Sequence, residues 1–230
     1  MKPDFSKFEK IIGINFNNKD LLMQAFTHRS YLNEHRDIKL AHNERLEFLG
    51  DAVLELIVTE YLYYKYPDKN EGELTSFRSA LVNATTLSDA ALKIGMNDYL
   101  LLSKGEAKDT GRARQIILAN TIEALIGAIF LDQDYEMAKF FISNNIFNLI
   151  EKIVENQTWL DAKSKFQEQA QDYDGITPVY KTLKEEGPDH DKKFTVAVYL
   201  DKVKIAEGEG KSKQEAEQAA ANNALIIKEW

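Results

Sequence analysis

Three acidic residues, Glu44, Glu47 and Asp51, stand at i, i+3 and i+7 in the run NERLEFLGDAVL, residues 43–54. On a helix that spacing gathers their carboxylates within about 60° of one face. Like charges held so close cost free energy unless cations sit among the oxygens. An all-oxygen donor set suits a hard divalent ion, with Mg2+ the natural occupant and Mn2+ a substitute. Leu46, Leu49, Val53, Leu56 and Ile57 recur at helical spacing on the opposite side. The same helix is therefore expected to pack a core with one face and present acid with the other.

Elements must hold that face in place. Apolar residues recur with helical period over Lys19–Leu32, Glu44–Tyr66, Glu73–Ile94, Ala113–Leu131 and Tyr135–Val154, and turn signals fall at Tyr66-Pro67-Asp68, at Asn70-Glu71-Gly72 and across Ser103–Arg112. The pattern predicts an all-α domain over residues 1–155. From residue 156 the period changes. A helix over Leu160–Asp172 precedes alternating runs at Pro178–Glu186, Lys192–Leu200 and Lys202–Glu209, and an Ala-rich helix follows over Ser212–Lys228. In the middle run Phe194, Val196, Val198 and Leu200 share one face and Thr195, Ala197 and Tyr199 the other. Residues 156–230 thus read as a small α+β domain of order α-β-β-β-α, its helices layered over the apolar face of the sheet.

Composition narrows the classes. A chain of 230 residues, 44% hydrophobic, can bury a sizeable core. The absence of cysteine removes disulfides, thiolate chemistry and Cys-based zinc or iron–sulfur sites, and fits a reducing compartment, with cytoplasm the default. The N-terminal MKPDFSKFEK has no apolar signal core, and no apolar run approaches the roughly 20 residues needed to cross a bilayer, so no membrane partner is expected. A formal charge of −8 argues against nonspecific affinity for polyanions. From residue 158 onward 11 Lys plus Arg face 14 Asp plus Glu, so any phosphate contact there must come from placement. Gly210-Lys211-Ser212-Lys213 supplies it: backbone N–H groups, the positive end of a helix dipole and two cations point at one spot, a phosphate clamp.

NERLEFLGDAVL resembles the signature of bacterial ribonuclease III. The likeness continues through FTHRSY (residues 26–31), NEGELTSFRSALV (residues 70–82) and ILANTIEALIGAIFLD (residues 117–132), and the α-β-β-β-α segment resembles that family's double-stranded-RNA-binding domain. The resemblance spans the chain in the family's order. It implies a Mg2+-dependent endonuclease, acting as a homodimer, that cuts both strands of duplex RNA and leaves 5′-phosphate and 3′-hydroxyl ends with a staggered 3′ overhang. Maturation of ribosomal and messenger precursors is the implied work, and no small-molecule organic cofactor is expected. By motif position Glu47, Asp51 and Glu123 are metal ligands, with Asp51 and Glu123 the catalytic pair, Glu44 a supporting acid and Glu71 joining from the facing subunit or from behind the ligands. Phe48, within about 40° of the acidic face, is implied to insert into a pocket of the other subunit, unless a helix of its own chain covers it. His28 and His42 lack a second histidine at ligand spacing; His28 is expected to be packed and hydrogen-bonded.

The second domain's resemblance implies minor-groove contacts from Ser164, Gln167 and Glu168 on its first helix and from His190 in Gly187-Pro188-Asp189-His190, with Lys211 and Lys213 on phosphate. Gln214 stands where the family often has a further basic residue, which implies weaker and less salt-sensitive affinity. One departure touches the metal site. Where the family usually has Asp three residues before Glu123, this chain has Asn120, a neutral and weaker ligand. Three readings stay open: a natural variant that cleaves, which the intact remaining blocks favour; an engineered substitution that traps substrate or product; and a duplex-RNA-binding dimer with weak or no cleavage. An acidic helical scaffold with a protein-binding appendage is the outlying alternative, and it predicts no duplex-RNA affinity at low salt.

Overall fold

In the computed structural model, which describes residues 3–37, 39–155, 162–188 and 192–230, the chain forms two compact units, Met1–Trp159 and Leu160–Trp230. The first is built from α1 (Phe5–Ile12), α2 (Lys19–Ala25), α3 (Arg29–Glu34), α4 (Glu44–Lys65), α5 (Glu71–Val82), α6 (Ala84–Lys93), α7 (Arg112–Asp132), α8 (Tyr135–Asn145) and α9 (Ile150–Glu155). The second runs α10 (Ala162–Asp174), β1 (Val179–Glu186), β2 (Lys193–Leu200), β3 (Val203–Gly210) and α11 (Lys213–Lys228). The expected fold class, an all-α domain followed by α-β-β-β-α, is the observed one.

Three of the expected long helices are broken, two of them by a residue that caps as readily as it continues. Lys19–Leu32 splits where His28, in extended conformation, caps α3 with Nδ1 accepting from the Ser30 N–H at 3.3 Å. Just before it, Thr27 forms a parallel bridge with Leu101. Glu73–Ile94 splits at Asn83, whose side chain accepts from the Thr86 N–H at 2.9 Å and starts α6. Tyr135–Val154 is interrupted by the 3-10 turn Phe147–Leu149. Asn and His sit comfortably at such caps because a short polar acceptor satisfies an orphan N–H.

α7 runs through the centre of the first unit, packed against α2, α4, α6 and α8. Leu118, Ile122, Leu125, Ile126 and Ile129 are all buried on it. By length and composition α7 is apolar enough to cross a membrane, which corrects the expectation that no run approaches that length; here it is the core helix, apolar nearly all round because neighbours surround it.

In the second unit β1, β2 and β3 form an antiparallel sheet in sequence order. Phe166 and Ala170 of α10 and Ala220, Ala221, Ala224 and Leu225 of α11 cluster with Val198, Leu200 and Ala206 of the sheet. The alanines let α11 sit close: a Cβ on Gly208 would lie 2.1 Å from the Ala220 nitrogen. Ala197 is buried although it lies on the other face. Its cross-strand partners, Lys181 and Glu207, are long enough to shade a methyl group.

Candidate active site and nucleic-acid interface

The acidic face is set by backbone contact between α4 and α7. A Cβ on Gly50 would fall 1.7 Å from the Glu123 carbonyl oxygen, and one on Gly127 would fall 2.3 Å from that of Leu46. Only glycine at both crossing points lets the helices approach so closely, and the approach brings Glu47 and Asp51 alongside Asn120 and Glu123. The N-terminus of α4 is tied down by the buried Asn43, whose N–H donates to the Thr27 carbonyl at 2.9 Å and whose side-chain amide donates to that of Ala25 at 3.2 Å. The block FTHRSY is therefore an anchor for the acidic helix. Within it His28 is packed and hydrogen-bonded as expected, and burial lowers its pKa against the opposing charges of Glu106 and Glu44.

The electrostatics show how close the acids are. Burial, and then the charges of Asp51 and Glu47, push the Glu123 carboxyl up to about 8. Burial and the charge of Glu44 also raise Glu47, with Asp51 adding to the rise and a hydrogen bond from Asn120 opposing it. Glu44 is half exposed, with its Oε1 3.6 Å from an Arg29 guanidinium nitrogen and its Oε2 3.8 Å from His42 Nδ1. Among the described residues no three His, Cys, Asp or Glu side chains meet closely enough to ligate one ion as they stand. The carboxylates are neighbours through their fields and through Asn120, so an ion would have to draw them in. The donor set is carboxylate and amide oxygen with its negative charge uncompensated, which fits a hard divalent cation.

Glu71 is not gathered into this cluster. It opens α5, which Asn70 and Glu73 cap reciprocally, and it lines a cavity of about 410 Å³ with Thr59, Leu62, Tyr63, Leu74 and Arg78. Phe48 projects from α4 with 81% of its surface exposed, so no helix of its own unit covers it. Leu56, expected in the core, is 59% exposed and shares that side of α4 with Phe48 and Tyr63. The core side lies instead along Leu46, Gly50, Val53, Leu54, Ile57 and Val58, because the glycine crossing rotates the contact line toward the acids.

On the second unit Ser164, Gln167 and Glu168 are exposed along α10. His190 lies outside the described residues. Ser212 caps α11, its Oγ accepting from the Glu215 N–H at 3.1 Å. The Glu215 carboxylate turns back to accept from the Lys211 N–H at 2.9 Å. The Lys213 ammonium lies 2.5 Å from Glu185 Oε1 and 5.7 Å above the centre of the Phe194 ring. Sequence reasoning did not foresee Gly50 and Gly127 as the residues that set the acidic site, nor Glu185 as the partner of Lys213; a single glycine on each of two separate helices carries no local signal.

Comparison with known proteins bears on both units. A family described as "Ribonuclease-III-like" matches residues 18–150, and the "Double-stranded RNA binding motif" matches residues 162–227. The "Ribonuclease 3" of Enterococcus faecalis is 47% identical over 213 residues, covering 93% of this chain and 92% of that protein. That of Borreliella burgdorferi is 46% identical over 225 residues, covering 97% and 91%. This chain belongs to the ribonuclease III family. Among solved structures, the nuclease domain of ribonuclease III from Campylobacter jejuni superposes with a TM-score of 0.56 at 40% identity, covering 65% of this chain and 97% of that domain. The recognition made from the four sequence blocks is borne out. With a ribonuclease III nuclease unit and a double-stranded-RNA-binding unit in one chain, the protein is an endoribonuclease acting on duplex RNA.

Proposed function

We propose that the protein hydrolyses both strands of duplex RNA as a Mg2+-dependent homodimer, maturing ribosomal and messenger precursors in the cytoplasm. The observation that carries this reading is the pair of raised carboxyls on the touching faces of α4 and α7: burial first, and then neighbouring carboxylates, raise Glu123 and Glu47, and no Lys or Arg among the described residues offsets either rise. Glu47, Asp51, Asn120 and Glu123 would hold the ion. When bound, it supplies positive charge at the scissile phosphate and an acidified water. The chain's own residues do the rest. The Asn120 amide orients the Glu47 carboxylate, Asp51 and Glu123 face the reacting phosphate, and Glu44 supports them from the exposed end. Water adds to phosphorus, the bond from phosphorus to the 3′ oxygen breaks, and that oxygen takes up a proton. The products are a 5′-phosphate and a 3′-hydroxyl.

The dimer rests on complementary features of one surface. Phe48 is an exposed aromatic that wants cover, and the cavity beside Glu71 is apolar enough and, at about 410 Å³, roomy enough for a benzyl group. Seating Phe48 of one protomer in that cavity of its partner carries each Glu71 toward the facing acidic cluster. The Campylobacter jejuni structure is described as having a region involved in dimer formation of its nuclease domain, which supports a twofold assembly here. Ser164, Gln167, Glu168 and His190 would read the minor groove while Lys211 and Lys213 meet phosphate across the major groove.

The test is cleavage of an end-labelled RNA duplex with Mg2+, with Mn2+ and in EDTA. Staggered products bearing 5′-phosphates, formed only with a divalent ion, are expected. Undiminished cleavage in EDTA would overturn the metal roles, and binding without cleavage under either ion would favour the non-cutting reading that Asn120 left open. Phe48→Ala should shift the sedimenting species from dimer to monomer.

A further inference from the structure

The phosphate clamp of the second unit is occupied by the chain's own carboxylates. Lys213 leads α11 and its ammonium rests on Glu185 at the far end of β1. On the adjoining strands the Lys193 ammonium rests on Glu209, also at 2.5 Å. The backbone N–H of Lys211, aimed as an anion donor just before the helix, already donates to Glu215. Lys193, Glu209, Lys211 and Glu215 line one depression of about 440 Å³ together with Lys192 and Gly210, and the Lys213–Glu185 pair stands at the head of the same helix, outside that lining. The depression exists because β3 and α11 touch: a Cβ on Gly210 would lie 2.5 Å from the Ala216 nitrogen, so strand end and helix start bring their charges to one rim.

Carboxylate and phosphodiester oxygens are interchangeable partners for an ammonium or a backbone N–H. We infer that Glu185 is an internal competitor for the phosphate that Lys213 would bind, so that duplex RNA docks by displacing a carboxylate from the cation. This rests on the reading of Lys213 as a phosphate contact. The chemistry has a definite consequence for substrate recognition. A cation already neutralised within the protein releases no net counterion when it changes partner, and the displaced Glu185 is left as a negative charge beside the RNA backbone. Affinity is thereby held down, and its dependence on salt is shallower than the lysines of the clamp would give. A substrate must offer enough other contacts along α10 and the 187–190 loop to compensate, which favours long regular duplexes over single phosphates or short helices. Glu185 is exposed, so its carboxylate can be removed at little cost to packing.

The experiment is equilibrium binding of the full chain to a blunt RNA duplex of about 20 base pairs, longer than the span one such domain covers, in EDTA across a salt series. The proteins are wild type, E185Q, K213A and the E185Q/K213A double variant. E185Q should bind roughly two- to fivefold more tightly, the scale of one exposed ion pair, with the slope of log K against log salt steeper by about 0.9. K213A should bind more weakly, and in its background E185Q should gain little, since the competitor acts through that lysine. E207Q, which removes a carboxylate paired with Lys204 instead, should not reproduce the gain. An equal gain from E185Q with and without Lys213 would mean a general charge effect and overturn the inference. An unchanged E185Q beside a weakened K213A would overturn it while leaving the clamp in place. Unchanged binding by K213A would remove the clamp itself, and the inference with it.

Discussion

The two charged regions of this protein are opposites in more than sign. In the nuclease unit, acids are buried together with little counter-charge: burial, and then neighbouring carboxylates, push Glu123 up to about 8 and raise Glu47 as well. In the RNA-binding unit, cations are packed with their counter-charges already in contact: Lys213 on Glu185, Lys193 on Glu209. The first region holds on to protons that isolated carboxyls would give up. The second must give something up before it takes an anion. The same device builds both, a glycine that lets two elements touch backbone to backbone, and this makes the comparison testable.

The largest effects should follow from filling those contacts. Gly50→Ala places a methyl 1.7 Å from the Glu123 carbonyl oxygen, so α4 must move off α7 and the acids separate. Overpacking of this kind costs about 1–3 kcal/mol and at times more. Cleavage should fall by orders of magnitude, because catalytic groups displaced by about 1 Å lose most of their effect. Duplex-RNA binding in EDTA should stay near wild type if the second unit carries it. Gly208→Ala, 2.1 Å from the Ala220 nitrogen, should do the reverse: lost affinity, with single-turnover cleavage at saturating RNA far less affected. Thermal melting and parallel binding and cleavage assays check both. If either variant damages both activities equally, the two regions are not the independent sites the comparison makes them.

How much of this was legible beforehand follows the range of the interactions. Local spacing placed Glu44, Glu47 and Asp51 on one face, marked the α-β-β-β-α order, and put Lys211 and Lys213 at the head of α11. Contacts between distant segments were not legible. Leu56 looked like core by period yet is exposed, while Leu54 and Val58, nearer the acids on the helical wheel, are fully buried, because the Gly50–Gly127 crossing, and not the average apolar direction, decides where α4 packs. Breaks at His28 and Asn83 were hidden because each residue satisfies its neighbour's N–H through its own side chain. The pairing of Lys213 with Glu185 depends on sheet register, which alternation alone leaves open.

The next effect is in pH. An isolated Glu titrates near 4.5, and Glu123 in the fold near 8. Between those values the folded protein holds a proton that the unfolded chain has lost, so metal-free stability falls as pH rises through that window and is unaffected by this group below it. The size is on the order of a few kcal/mol at most, since part of the side chain remains in solvent. Melting in EDTA should show the transition dropping from pH 5 to pH 8.5, and Glu123→Gln should flatten the drop. Mg2+ should bind more tightly as pH rises, with proton release at pH 7 seen by calorimetry in two buffers of different ionisation enthalpy. A pH-independent melting curve for the wild type would mean that the acids are already compensated, and the contrast with the lysine rim would go.

The smallest change, Asn120→Asp, asks whether the nuclease region is starved of counter-charge or partly relieved of its own. Asn120 donates to Glu47 and opposes the rise in its pKa, so the amide quiets the cluster when no ion is present. Replacing it with Asp removes a donor and adds a charge. Without metal, Glu47 and Glu123 should be driven further up and the protein should melt lower. With metal the extra carboxylate becomes an extra anionic ligand, and the Mg2+ concentration for half-maximal cleavage should fall by roughly tenfold, the scale on which neighbours of a metal site tune its affinity. The two shifts have opposite signs and one cause, so they must appear together. A variant that melts lower but needs as much Mg2+ as before would show that position 120 only steadies Glu47, and that Glu47, Asp51 and Glu123 complete the ion's protein ligands without it.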